Sequence, residues 1–170
     1  MALPAPYQCT DRRKQKTPLS GDVIRPPYSR VIESGRKLMP IRVLLADDSE
    51  LIRRAIRQLL ADRPEITVVG ESTDFAHTLQ LCKDLRANVV ILDLHMSDGN
   101  RISAREFKSQ LPTESRVLAI SVWYDAETKT LAERYGAVKL LDKVTLGTHL
   151  IPSILGIVSP SGENPGVHIQ

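Results

Sequence analysis

Cysteine is scarce in this sequence of 170 residues, which contains only Cys9 and Cys82. Neither has a partner at the spacing of a metal site or a redox pair, so the sequence excludes a disulfide scaffold and fits a reducing compartment. No apolar run approaches the roughly 18 residues that a transmembrane helix needs. The opening segment carries its charges after its apolar residues, which is the reverse of a secretory signal. We therefore expect a cytoplasmic protein.

Glycine-rich phosphate-binding loops are also missing. Neither G-x-x-x-x-G-K-[ST] nor G-x-G-x-x-G occurs. Nucleotide binding therefore has no support in the sequence.

The excess of positive charge is confined to the N-terminal segment. Residues 1–39 contain 8 Lys/Arg and 3 Asp/Glu, a net charge of +5, whereas residues 40–170 contain 15 and 17, a net charge of −2. The first segment also holds five of the eleven prolines and no periodic apolar face, so we predict that residues 1–39 form a basic, Pro-rich, disordered extension. A solvated tail is the simplest interpretation; contact with nucleic acid or an anionic membrane, and a natural start near Met39, are the alternatives.

Five short, β-branched apolar runs alternate with amphipathic stretches from residue 41 onward. The runs are Ile41–Ala46, Ile66–Gly70, Val89–Leu92, Val117–Ser121 and Ala137–Leu141. Apolar strands separated by helices predict an α/β fold: a (βα)5 doubly wound, parallel five-stranded sheet covered on both faces. We place this domain at residues 40–158 and a flexible tail at residues 159–170.

The first amphipathic stretch shows the helical period most clearly. Its apolar residues recur at helical spacing, and the opposite face carries Arg53, Arg54, Arg57 and Gln58. This pattern predicts an amphipathic helix after the first strand.

Polar side chains stand where four of the five predicted strands end. Asp47 and Asp48 follow the first strand, Asp93 the third, Ser121 ends the fourth and Lys143 follows the fifth. The carboxyl ends of parallel strands meet at one edge of the sheet, where ligands bind. Clustered carboxylates need neutralising, which a hard divalent cation such as Mg²⁺ does well. The structural alternative is that the aspartates cap the first helix while the lysine forms a surface ion pair with one of them.

These motifs resemble the receiver domain of two-component response regulators, which has a flavodoxin-like fold. The resemblance covers about residues 41–158 and rests on the Asp47-Asp48 pair, V-V-I-L-D-L-H-M-S-D-G around Asp93, Ser121, and G-A-V-K-L-L-D-K ending at Lys143. It implies a stand-alone, chemotaxis-regulator-like signalling switch rather than an enzyme.

The resemblance also implies roles for individual residues. Asp93 would accept a phosphoryl group as an acyl phosphate. Asp48, Asp93 and the backbone carbonyl of His95 would bind Mg²⁺ directly, and Asp47 would bind it through water. The side chain of His95 is expected above the phosphorylation site, where it would tune dephosphorylation.

Two further residues would contact the transferred group. Ser121 would hydrogen-bond the phosphoryl oxygens, and Lys143 would pair first with the carboxylate and then with the phosphoryl group. The phosphoryl donor would be a sensor histidine kinase or a phosphotransfer protein, and an unknown downstream protein would receive the signal. No output DNA-binding domain is expected, and a homodimer is compatible with the resemblance.

Two alternatives of other classes remain open at this point. Leu140 stands where many family members have Tyr or Phe, which favours a receiver-like interaction module that works without phosphorylation. A Mg²⁺-dependent aspartyl-phosphate phosphatase of the haloacid dehalogenase type would need an acid/base Asp two residues after Asp93, where this sequence has His95. We also expect Trp123, two residues after Ser121, to border the site.

Overall fold

The computed structural model of the chain describes residues 39–99 and 101–158. The extension predicted at residues 1–39 and the tail predicted at residues 159–170 therefore lie outside the described residues, except for Met39. None of the helices in the described part has the length and apolar character that crossing a bilayer requires.

Strands and helices alternate along the chain as predicted. The strands are β1 (Ile41–Ala46), β2 (Ile66–Ser72), β3 (Val89–Asp93), β4 (Arg116–Ser121) and β5 (Ala137–Asp142). The helices are α1 (Glu50–Leu60), α2 (Phe75–Asp84), α3 (Ala104–Gln110), α4 (Ala126–Arg134) and α5 (Leu146–Val158), with a 3-10 turn at Lys143–Thr145 before α5.

The five strands form one parallel sheet in the order β2-β1-β3-β4-β5. The chain moves outward from β1 to β2 and then returns to place β3 on the other side of β1. This reversal leaves a crevice at the carboxyl ends of β1 and β3, which is where ligands bind in doubly wound sheets. The predicted fold is confirmed.

Apolar side chains cover both faces of the sheet. On β1, Leu44 packs in the same core cluster as Phe75 of α2 and Phe107 of α3, on one face of the sheet. Its neighbour Leu45 packs with Ile56 of α1 in the cluster that also includes α5, on the other face. Because successive strand residues point to opposite faces, a continuous apolar strand fills two cores at once.

Three strands extend beyond their predicted ends and finish in polar residues. β2 continues to Ser72, β3 to Asp93 and β5 to Asp142. Backbone pairing holds these residues in the sheet, since Asp93 pairs with Ile120 of β4. Their side chains are therefore carried by the rigid sheet rather than by flexible loops.

The described cysteine is a core residue. Cys82 is fully buried, and its Sγ lies 3.2 Å from Oγ of Ser115. Burial raises the pKa of the Cys82 thiol, which keeps it protonated.

Candidate functional site

A lysine bridges two aspartates at the carboxyl edge of the sheet. Nζ of Lys143 lies 2.8 Å from Oδ2 of Asp47 and 2.8 Å from Oδ2 of Asp93. Asp47 follows β1, Asp93 ends β3, and Lys143 comes directly after β5. Because β4 lies between β3 and β5 in the sheet, the long lysine side chain crosses the end of β4 to reach both carboxylates.

These three side chains are largely removed from solvent. The exposed fraction is 1% for Asp47, 7% for Asp93 and 10% for Lys143. Burial raises the pKa of Asp47 despite the opposing effect of Lys143. Burial also works to lower the pKa of Lys143, but its hydrogen bonds to Asp47 and Asp93 outweigh that effect and the net shift is upward. Lys143 therefore stays protonated, whereas the favourable contacts of the Asp47 carboxylate do not fully offset the cost of burying its charge.

A third carboxylate completes the cluster. Asp48 is exposed, and its Oδ2 accepts a hydrogen bond of 3.0 Å from the backbone N–H of Ser97. One carboxylate oxygen from each of Asp47, Asp48 and Asp93 lies within 4.8 Å of the others. An all-oxygen donor set of this charge suits Mg²⁺, which prefers a small number of carboxylates and keeps several waters. The residues present therefore fit a divalent cation.

The structural alternative for the aspartates differs from this geometry in two respects. The N-cap of α1 is Ser49, and Asp47 instead accepts a 2.8 Å hydrogen bond from the backbone N–H of Ser49. The ion pairs of Lys143 are buried rather than on the surface. Helix capping and a surface salt bridge do not account for the cluster.

The remaining predicted residues line the same edge. Asp93 pairs with Ile120, so Ser121 stands one residue further along the neighbouring strand. Ser121 is fully buried, and its Oγ accepts a hydrogen bond of 3.1 Å from the backbone N–H of Trp123. The N–H of His95 donates to Oδ1 of Asp93 at 3.2 Å. The rings of His95 and Trp123 meet edge to face, with centroids 4.6 Å apart.

Comparison with known proteins shows the family to which the chain belongs. The family described as response regulator receiver domain matches residues 43–154. The chain belongs to this family. The resemblance drawn from the strand-end residues is confirmed, and the chain contains a receiver domain of a two-component response regulator.

Relatives of this receiver domain occur in proteins of different kinds. The chain is 33% identical over 105 residues to protein-glutamate methylesterase/protein-glutamine glutaminase 4 of Myxococcus xanthus, covering 61% of this chain and 30% of the relative. It is 30% identical over 98 residues to the nitrate/nitrite response regulator protein NarL of Escherichia coli, covering 58% of this chain and 45% of the relative. The chain thus spans less than half the length of these curated relatives.

Solved structures agree on the fold. The signal receiver domain of NarL from Mycobacterium tuberculosis is similar with a TM-score of 0.60 and 28% identity, over 69% of this chain and 94% of that one. The response regulator domain of Thermotoga maritima CheB is similar with a TM-score of 0.61 and 24% identity, over 72% of this chain and 100% of that one.

Sequence reasoning missed one residue beside the site. Arg53 lies on the polar face of α1, yet its side chain is only 11% exposed. Its Nη1 donates to the backbone carbonyl of Asp47 at 2.6 Å, and its Nε donates to Glu71 at 2.9 Å. The signal in the sequence was Glu71 itself, a charged residue directly after the apolar run of β2, which needed a cation nearby.

Proposed function

We propose that this receiver domain is a phosphorylation-controlled switch in which Asp93 accepts a phosphoryl group from a histidine kinase or a phosphotransfer protein. The observation that carries the proposal is the position of Asp93. Its carboxylate ends the central strand, lies 2.8 Å from the ammonium of Lys143 and belongs to a cluster of three carboxylates. A carboxylate is a weak nucleophile, so phosphoryl transfer depends on positioning and on nearby positive charge.

In the proposed reaction an oxygen of Asp93 forms a bond to phosphorus while the P–N bond of a phosphohistidine breaks. The bonding electron pair leaves with the imidazole nitrogen, and Asp93 becomes an acyl phosphate. When bound, Mg²⁺ would neutralise charge on the phosphoryl oxygens, and Asp48, Asp93 and the backbone carbonyl of His95 would hold it, with Asp47 acting through water.

Two side chains would serve the transferred group itself. Lys143 remains a cation in the folded protein, so its ammonium is available to the new phosphoryl oxygens. The hydroxyl of Ser121 accepts the N–H of Trp123 through its oxygen, which leaves its own proton free to be donated. If Ser121 moves to donate a hydrogen bond to the phosphoryl group, the loop that contains Trp123 would move with it.

We infer that this loop, rather than an aromatic residue on β5, carries the signal. Leu140 is buried in the core at the position where many family members have Tyr or Phe, and its side chain has no polar group that could change hydrogen-bond partners. Trp123 is exposed and contacts His95, two residues after Asp93. A shift of Ser121 would therefore alter an aromatic surface that a partner protein can recognise.

The output proposed for residues 40–158 is altered binding to a downstream protein. The methylesterase relatives are matched over a minority of their length, and we propose no such activity for this domain. The aspartyl-phosphate phosphatase alternative lacks its acid/base residue, since position 95 is His. The alternative of an interaction module that works without phosphorylation is supported by one feature, the presence of Leu140 in place of Tyr or Phe.

The test is phosphorylation with a small-molecule donor. The full chain is incubated with Mg²⁺ and acetyl phosphate, and intact mass is measured for the wild type, Asp93→Asn and the control Asp62→Asn, which changes an exposed aspartate. We expect one alkali-labile phosphoryl group on the wild type and the control, and none on Asp93→Asn. Labelling that persists in Asp93→Asn would overturn the proposal. A wild type that no donor labels would favour the interaction module.

A further inference from the structure

Arg53 joins three parts of the domain beside the carboxylate cluster. Its Nε donates to Glu71 of β2 at 2.9 Å, its Nη1 donates to the backbone carbonyl of Asp47 at 2.6 Å, and its Nη2 donates to Glu50 of α1. Each nitrogen of the guanidinium has a different acceptor, and the side chain is nearly buried. The planar fork therefore has little freedom to turn.

The carbonyl that Arg53 contacts belongs to the peptide unit between Asp47 and Asp48. The side chain of Asp48 is exposed, and its carboxylate accepts a hydrogen bond from the backbone N–H of Ser97. Packing therefore contributes little to the position of the Asp48 carboxylate. Together with the hydrogen bond from Ser97, the direction of the backbone at Asp47–Asp48 sets where that carboxylate lies, and Arg53 of α1 contacts this backbone.

We propose that Arg53 is a positioning residue for the divalent-cation site. It fixes the Asp47–Asp48 peptide so that the Asp48 carboxylate stays beside Asp47 and Asp93 before a cation arrives. The inference rests on the proposed cation site and adds to it a residue outside the carboxylate cluster. Groups that orient metal ligands typically change metal affinity about 10- to 100-fold when removed.

Arg57 provides a matched control within the same network. Arg57 forms ion pairs with Glu50 and Glu71, the same two glutamates that Arg53 contacts. Within the described part of the chain, the guanidinium of Arg57 donates to these two glutamates and not to Asp47. Arg53→Met and Arg57→Met therefore remove the same charge and two ion pairs each, but only the first removes a bond to the Asp47 carbonyl.

The experiment measures cation affinity directly. Mn²⁺ prefers the same oxygen ligands as Mg²⁺ and gives a free-ion EPR signal that falls on binding. Titrations of the full chain with Mn²⁺, with Mg²⁺ as competitor, are compared for wild type, Arg53→Met, Arg57→Met and Arg53→Lys. Thermal unfolding with a chelator present reports the structural cost of each change.

We expect Arg53→Met to weaken Mn²⁺ binding about 10-fold or more, while Arg57→Met stays within about threefold of the wild type. Arg53→Lys, which retains one cationic donor, should recover part of the loss and also covers the case in which Arg53→Met does not fold. Equal affinities in Arg53→Met and Arg57→Met, or a loss of affinity that only follows melting temperature, would overturn the inference. A wild type that binds neither ion would overturn the proposed cation site as well, whereas wild-type binding unchanged by Arg53→Met would overturn this inference alone.

Discussion

Replacing Lys143 with Met should destabilise the cation-free protein more than any surface lysine replacement. The change removes the ammonium that lies 2.8 Å from both Asp47 and Asp93 and leaves the two carboxylates facing each other in a buried site. Breaking a buried ion pair by deleting one partner typically costs about 3–5 kcal/mol. The loss of unfolding free energy has an upper limit, because one of the two carboxylates can take up a proton instead. Protonating a carboxyl group of ordinary pKa 3.8 at pH 7 costs about 4 kcal/mol, at 1.36 kcal/mol per pH unit. We therefore expect a loss of about 3–4 kcal/mol at pH 7.

The sign of the pH dependence follows from the same carboxyl group. Burial already raises the pKa of Asp47, and loss of Lys143 removes an effect that lowers it. A carboxyl whose folded-state pKa lies above its unfolded-state value costs stability above the unfolded value, and the cost disappears as the pH falls toward that value. At pH 5, protonating the same carboxyl group costs only about 1.6 kcal/mol. The loss of unfolding free energy in Lys143→Met, relative to the wild type, should therefore fall below about 2 kcal/mol.

The assay is urea unfolding followed by circular dichroism, in chelator, at pH 7 and pH 5. Lys139→Met is the matched control, since Lys139 is an exposed lysine on β5 and its loss should cost little at either pH. Adding Mg²⁺ should restore part of the stability of Lys143→Met by replacing the lost charge. A deficit below about 1 kcal/mol at pH 7, or one that does not shrink at pH 5, would refute the electrostatic reasoning.

Three other predictions follow from the site and its surroundings. Trp123 fluorescence should change on adding Mg²⁺ and again on adding beryllofluoride, and the second change should vanish in Asp93→Asn; a flat wild-type response despite phosphorylation would mean that the loop does not move. A chain that begins at Met39 should melt at the same temperature and bind Mg²⁺ like the full chain, and a large drop in melting temperature would show that residues 1–38 stabilise the domain. In a Cys9→Ser background, Cys82 should react with a thiol reagent only as fast as the protein unfolds, because burial raises its thiol pKa; rapid reaction of the native protein would contradict its burial.

The fold could be predicted from the sequence because the apolar runs and the helical stretches between them indicate the same architecture. Continuous apolar runs can be satisfied only by strands buried on both faces, and the helical stretches between them supply the two covering layers. Asp47, Asp93 and Lys143 were placed together because parallel strands that alternate with helices present their carboxyl ends at one edge. The order of strands and helices is sufficient to place these residues at one edge, without knowledge of any side-chain contact.

The parts that could not be predicted depend on register and on particular rotamers. Glu71 stands beside Leu45 because β1 and β2 pair with a register shift between Val43 and Leu44, which no periodicity reveals. The position of Glu71 in turn decides that Arg53 is drawn inward although it lies on the polar side of α1. Strand ends were also underestimated, since Ser72 and Asp93 are held by backbone pairing rather than by side-chain type.

The acyl phosphate proposed at Asp93 can be trapped chemically and located in the chain. Protein treated with acetyl phosphate and Mg²⁺ is reduced with borohydride, which converts an aspartyl phosphate to homoserine, and the peptides are then sequenced by mass spectrometry. We expect homoserine at position 93 alone, and none when the Mg²⁺ is chelated beforehand. Homoserine at any other aspartate, or equal conversion of Asp93 without a divalent cation, would contradict it.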